Sequence, residues 1–188
     1  MTTHAATIAQ SPLSRFLFTD RRTAGLWLIL RVYIGWQWLL AGYEKVVNSA
    51  WIGEHAGTAI SGFLNGALQK TSGTHPDVAG WYAWFIEHVV MPHTVFFSYL
   101  ISVGELLTGI ALIIGACTGV AAMAGACMNL NYLFAGTVSI NPLMLLIEIF
   151  LILAWRVAGW YGLDHYLLTA LGTPWHPGTI FQSKRAKA

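Results

Sequence analysis

HTVFFSYLISVGELLTGIALIIG, residues 93–115, decides the fold class of this chain, because it holds only one formal charge, Glu105. A helix rises ~1.5 Å per residue and the hydrocarbon core of a bilayer is ~30 Å thick, so roughly 20 mostly apolar residues cross it. Three further stretches meet that condition: residues 24–46 (AGLWLILRVYIGWQWLLAGYEKV), residues 118–136, which carry no formal charge, and residues 141–163 (NPLMLLIEIFLILAWRVAGWYGL). A helix apolar all round has no face to turn to water, so segments of this length read as spans rather than as buried helices of a soluble all-α domain. The expected architecture is all-α: a four-helix transmembrane bundle forming a single membrane domain over residues 1–188.

Composition agrees. Hydrophobic residues make up 56% of the chain and charged residues 10%, against about 25% charged in a soluble domain. The formal net charge of +2 is carried by the ends. Arg15, Arg21 and Arg22 lie in residues 1–23, and Lys184, Arg185 and Lys187 in residues 164–188, whereas residues 47–92 have one basic residue, Lys70. Basic residues mark the cytoplasmic side. Both tails are therefore expected in the cytoplasm, with residues 47–92 outside a cytoplasmic (inner) membrane. The tail is polar and the first apolar run is too long for a signal peptide, so that run is expected to be retained as an anchor. No basic stripe interleaved with aromatics suggests nucleic-acid binding. Cys117 and Cys127 fall on one span, ~15 Å apart, too far for a disulfide. With no CxxC or CxxCH, neither a thiol relay, a haem nor an iron–sulfur cluster is expected.

The inner connection near Gly115–Gly119 is short, so spans two and three form an antiparallel hairpin. Its GxxxG spacing matches a dimer motif, but it straddles the loop, and a flexible turn is the plainer reading. Residues 47–92 are long for a structureless loop. Residues 56–69 suit a short interfacial helix. Residues 78–91, with Trp81, Tyr82, Trp84 and Phe85 and ending at Pro92, suit a re-entrant or interface-lying helix. Trp27, Trp51, Trp160 and Trp175 lie near span ends and fit an interfacial belt. His55, His75, His88 and His93 show no metal-ligand spacing, so no metal site is expected.

Charges within spans are costly and usually face the bundle interior. Here they are Arg31, Glu105, Glu148 and Arg156. Counting at ~1.5 Å per residue puts Arg31 ~10 Å and Glu105 ~12 Å above the inner edge, so the two are expected to pair across the first two spans. Such a pair either serves function or simply fixes helix register. Arg31, Gly35, Trp38, Gly42 and Lys45 form one helical stripe, and Ser98, Ser102, Glu105 and Gly109 another. Glu148 lies about 10 Å below the outer edge, level with Gln37 and Asn131, with Tyr132 nearby. A carboxyl with no cation in low dielectric holds its proton readily, so Glu148 is a candidate proton carrier. Its plain alternative is a neutral, hydrogen-bonded helix glue. Lys45, at the outer end of the first span, is placed to meet an anion from outside or merely to snorkel.

These residues resemble the DoxX/DoxD family of membrane proteins. The first span resembles the family's R-x3-G…G-x2-K pattern through Arg31, Gly35, Gly42 and Lys45. The hairpin resembles its next stretch through Gly104, Glu105, Gly109, Gly115 and Thr118. Ser139, Asn141, Pro142, Glu148, Gly162 and Asp164 resemble a subgroup's final stretch, and the likeness runs over roughly residues 15–175. The resemblance implies a four-helix bundle and, through its DoxD members, the membrane subunit of thiosulfate:quinone oxidoreductase, which passes electrons from thiosulfate to membrane quinone and yields tetrathionate. It also implies a second, soluble DoxA-type subunit, which this chain does not carry as an appended domain.

The expected function is therefore a quinone-linked oxidoreductase subunit, with quinone as the electron acceptor. Glu148, Arg31 and Glu105 are the candidate catalytic residues. Lys45, Gln37, Trp36, Trp38, Asn131 and Tyr132 are the candidate substrate- and quinone-binding residues. Lys45 and the outer histidines would attract the sulfur anion, and Trp36, Trp38 and Tyr132 would flank the quinone ring. Expected partners are membrane lipid, quinone and a DoxA-like or other soluble redox subunit, with homo-oligomers open. The alternatives are a non-enzymatic anchor or assembly platform for soluble redox proteins, and transport of a small molecule or lipid.

Overall fold

In the computed structural model, which describes residues 11–172, the regular elements among the described residues are all helical. Helix α1, Pro12–Thr19, starts with Pro in its first turn and Ser11 accepting from the Ser14 amide at 3.2 Å, a cap that satisfies one of the free N–H groups. Asp20 then accepts from the Arg22 amide and pairs with its guanidinium at 2.7 Å. Arg22, chiefly through that side-chain hydrogen bond, holds the Asp20 carboxyl below its ordinary range. A 3-10 turn, Arg21–Thr23, leads into α2, Ala24–Val46.

Residues 47–93 form a folded cap. Helix α3, Thr58–Leu68, matches the expected short helix at 56–69. Helix α4, Gly80–Phe85, passes through a π-helical turn, Ile86–Val90, and a 3-10 turn, Met91–His93, into α5, Thr94–Ile114. The expected break at Pro92 is thus a change of winding, since proline removes one N–H but its fixed φ suits the first turn of a new helix. Helix α6 covers Thr118–Phe134 and α7 covers Asn141–Leu153. The expected single run over 141–163 is corrected: it stops at Ala154, resumes as α8, Trp155–Ala158, and turns at Gly159–Leu163 into α9, Asp164–Leu171. The turn at 159–163 is tied to tertiary bonds, because the Leu163 and Asp164 amides donate to the Ile114 and Gly115 carbonyls at 3.1 and 2.8 Å.

Among the described residues, two helical runs, Arg21–Val46 and Gly80–Ile114, are long and apolar enough to cross a membrane, at 26 and 35 residues with mean hydropathy 1.3 and 1.9. Helices α6 and α7 are shorter, 17 and 13 residues. Trp175, Lys184, Arg185 and Lys187 lie outside the described residues.

Helices α2 and α5 pack antiparallel with their backbones in contact. A Cβ at Gly42 would strike the backbone of Leu106 and Glu105, and one at Gly109 the backbone of Leu39. Small residues at these positions are what let two apolar helices approach so closely. Helix α7 packs against α6, and α8 against α1, α2 and α6. Trp27, Ile34, Trp38, Leu112, Met144 and Leu151 fill the main core, and Ile60, Leu64, Tyr82, Ile86 and Val90 a second core under the cap. Polarity is inverted relative to a water-soluble domain. Arg31, Ser98, Ser102, Glu105, Thr108, Asn129, Glu148 and Asp164 are buried, whereas Ile29, Trp36, Leu107, Leu146 and Leu153 are exposed. The end holding α1, α9 and the Gly115–Cys117 turn is called the tail end below, and the end holding the cap the loop end.

Candidate functional site

Arg31 does not meet Glu105. It is 1% exposed, and its Nη2 donates to the Tyr161 carbonyl at 3.0 Å. Gly35 faces Leu112 and Ile113, and Gly42 faces Glu105 and Leu106, so Arg31 falls opposite Gly115, ~15 Å of helix away from Glu105. The two helices are not flush, so equal depth does not follow from residue count: α2 overhangs α5 at the tail end, beside α8, and the helical run that ends in α5 reaches back to Gly80 at the loop end. Gly115 has φ +69°, and a Cβ there would overlap the Arg31 guanidinium, so glycine is required twice over. Beside it, the Asp164 carboxylate accepts from the Cys117 amide at 2.6 Å and the Thr118 amide at 2.8 Å. It thereby caps α6, where a negative charge is favoured by the helix dipole. Arg31, Gly115, Gly162 and Asp164 form a tail-end clasp that joins the start of α2, the end of α5, the start of α6 and α9.

Glu148 is fully buried, and its partners differ from those expected. Trp38 Nε1 donates to its Oε1 at 2.6 Å, and Asn129 Nδ2 to its Oε2 at 2.7 Å. Gln37 and Asn131 do not reach it: Gln37 lines a cavity that Glu148 does not line, and Asn131 bonds the Cys127 carbonyl and the Tyr82 hydroxyl. Residues two apart on a helix point to different sides, which separates Asn129 from Asn131 and Trp38 from Trp36. Trp36 is 52% exposed and Trp38 2%, so only one of that pair is inside. Gly125 makes room, since a Cβ there would strike Glu148 and lie 2.8 Å from Trp38 Nε1. Asn129 was missed by the sequence reading. The signal was the stripe Thr118, Ala121, Ala122, Gly125, Ala126, whose spacing points to Asn129 as the next buried position.

Glu105, Lys45 and Tyr132 come together. Lys45 Nζ lies 2.6 Å from Glu105 Oε2, and the Tyr132 hydroxyl donates to Glu105 Oε1. Lys45 also stands 5.2 Å from the Trp51 ring centroid, and Phe63 meets Tyr132 edge-on at 5.9 Å. Arg156, counted as a charge within the last span, is exposed beside Trp155 rather than in the interior.

This cluster stands between two cavities at the loop end. One, of about 460 Å³, lies between α5, α6 and the cap; its lining includes Leu64, Phe85, Phe97, Ile101 and Met128 and holds no formally charged residue. The other, of about 530 Å³, is more polar, with Gln37, Glu44, Lys45, Glu105, Ser139 and Asn141 on its walls. Trp51, Phe63 and Tyr132 line both and form the partition. Trp51 and Phe63 were not expected at a site, because nothing in the sequence shows the cap folding back over α5. Glu148 lines neither cavity, and Arg31 and Trp36 lie away from both. Among the described residues no group of three or more His, Cys, Asp or Glu side chains is placed to hold a metal.

A family model described as "TQO small subunit DoxD" matches residues 26–176. No curated protein matches the chain, and no solved structure does.

Proposed function

The chain belongs to the DoxD family, and on that premise we propose that it is the quinone-side membrane subunit of a thiosulfate:quinone oxidoreductase. The observation that carries this reading is the uncharged, aromatic-walled cavity of about 460 Å³ separated by one partition from a polar cavity. Volumes of 300–1,000 Å³ with mostly apolar walls and a few placed polar groups suit small lipophilic ligands. The quinone is a substrate, the electron acceptor, and its ring would lie against Tyr132, Phe85 and Phe97. Two thiosulfate ions joined through a new S–S bond give tetrathionate and two electrons; the quinone takes these with two protons and becomes quinol.

The polar cavity has two carboxylates, Glu44 and Glu105, against one ammonium, Lys45. That balance disfavours a dianion, so the sulfur donor is assigned to a soluble DoxA-type partner docked at the loop end. Helices α6 and α7–α8 are read as the third and fourth spans, ~25 Å and ~27 Å long at ~1.5 Å per residue. The bundle then lies in the cytoplasmic membrane with both tails inside and the cap outside.

The test is thiosulfate-dependent reduction of a short-chain quinone by purified protein, with and without the co-expressed partner. Reduction by the complex supports the reading. A complex that binds the partner tightly but neither retains nor reduces quinone supports the anchor reading instead.

A further inference from the structure

Proton supply to the apolar cavity is the step for which the chain holds a built path. Among the described residues, Trp51, Phe63 and Tyr132 are the ones that line both cavities. Of these, Tyr132 alone carries an O–H, and that hydroxyl is bonded to Glu105, which is bonded to Lys45. Glu105 is 1% exposed. Lys45 and Glu105 line the polar cavity, and Tyr132 lines both. Glu148, the carboxyl first expected to carry protons, has both oxygens taken by Trp38 and Asn129 and lines neither cavity.

We infer that Tyr132 donates the proton to the reduced quinone in the apolar cavity, and that Glu105 and Lys45 return a proton to it from the polar cavity. This rests on the quinone-side reading above. At rest the hydroxyl hydrogen points to Glu105. Rotation about the tyrosine C–O bond turns it to the ligand oxygen, where the tyrosine O–H bond breaks and the quinol O–H bond forms. The Lys45 ammonium protonates Glu105 Oε2, rotation of the carboxyl group presents that proton to the tyrosinate, and Lys45 recovers a proton from water in the polar cavity. Two such cycles supply both protons, and the two electrons come from the sulfur donor. Neighbouring titratable groups are Glu44 on the polar side and Tyr82 and Cys127 on the apolar side.

The test compares wild-type complex with Tyr132→Phe and Glu105→Gln, reading both turnover and labelling by an azido-quinone mapped to peptides. Tyr132→Phe keeps the ring and the partition but has no proton to give. Glu105→Gln keeps an oxygen for the Tyr132 hydroxyl but cannot relay. Expected for Tyr132→Phe is labelling of α5 and α6 within twofold of wild type and kcat lower by ~10²-fold, the usual scale of general acid catalysis. Expected for Glu105→Gln is the same labelling and kcat lower by at least ~10-fold. A Tyr132→Phe complex that keeps more than half of wild-type kcat overturns the relay and leaves the quinone reading intact. Labelling lost in step with activity also overturns it, making Tyr132 a binding group. A wild-type complex with no label on α5 or α6 overturns the quinone reading itself, and the relay with it.

Discussion

Glu148 and Trp38 illustrate how a buried polar group is settled one residue at a time. A carboxyl in an apolar core is costly unless its oxygens are bonded, and here each oxygen has one donor. Trp38→Phe removes one donor while keeping a ring. It is expected to lower stability by about 1–3 kcal/mol, the cost of an unmet buried polar atom, read as thermal unfolding in detergent. Trp36→Phe, two residues away and exposed, is expected to stay within about 0.5 kcal/mol. Equal losses in the two variants would contradict the placement of Trp38. Asp164 offers a second case. Asp164→Asn keeps the shape but removes the charge that caps α6 and faces Arg31, and a loss of about 1.5–3 kcal/mol is expected, the scale of charge-assisted hydrogen bonds, in the same assay. These roles were only partly legible in the sequence. Glu148 stood out as an acid in an apolar run, but matching depth alone pointed to Gln37 and Asn131, whereas the helix phase of α6 turns Asn129 to it.

At the scale of elements, the glycines sort by what they face. Gly109 on α5 meets the α2 backbone, whereas Gly62 in α3 meets nothing. Gly109→Ala is expected to destabilise by about 1–3 kcal/mol or more, as overpacking does. Gly62→Ala is expected to stabilise by about 0.5–1 kcal/mol, since alanine restricts the unfolded chain and suits a helix. Thermal melts of both variants check the pair. The stripe on α2 and the stripe on α5 were readable from spacing, and the two do face each other. Their register was not readable, because the ends of α2 and α5 are offset along the helix axis and hydropathy does not show the offset. The slip separated Arg31 from Glu105 and brought Lys45 to Glu105 instead. The turn at 159–163 was hidden for a related reason: hydropathy continues through residues 141–163, and the turn is held by bonds from Leu163 and Asp164 to Ile114 and Gly115, far away in sequence.

For the whole molecule, the all-α class and membrane character followed from composition and run length alone, and family membership from the order of small motifs. What sequence could not supply was the cap. Residues 47–93 fold over α5 and the end of α6 through bonds such as the Ser98 hydroxyl to the Trp51 carbonyl at 2.6 Å and Lys70 to the Gly136 carbonyl at 2.8 Å. That packing creates the partition between the two cavities. The proposed topology has its own check: reporter fusions at residue 11 and residue 172 are expected to report the cytoplasm, and one at Gly73 the opposite side. A reporter at either end active outside would overturn it. The central claim is that the apolar cavity holds a membrane quinone. Its most direct test is lipid extraction and mass spectrometry of protein purified in nanodiscs. About one quinone per chain is expected, well above the bulk lipid ratio. Quinone at no more than the bulk ratio would contradict it.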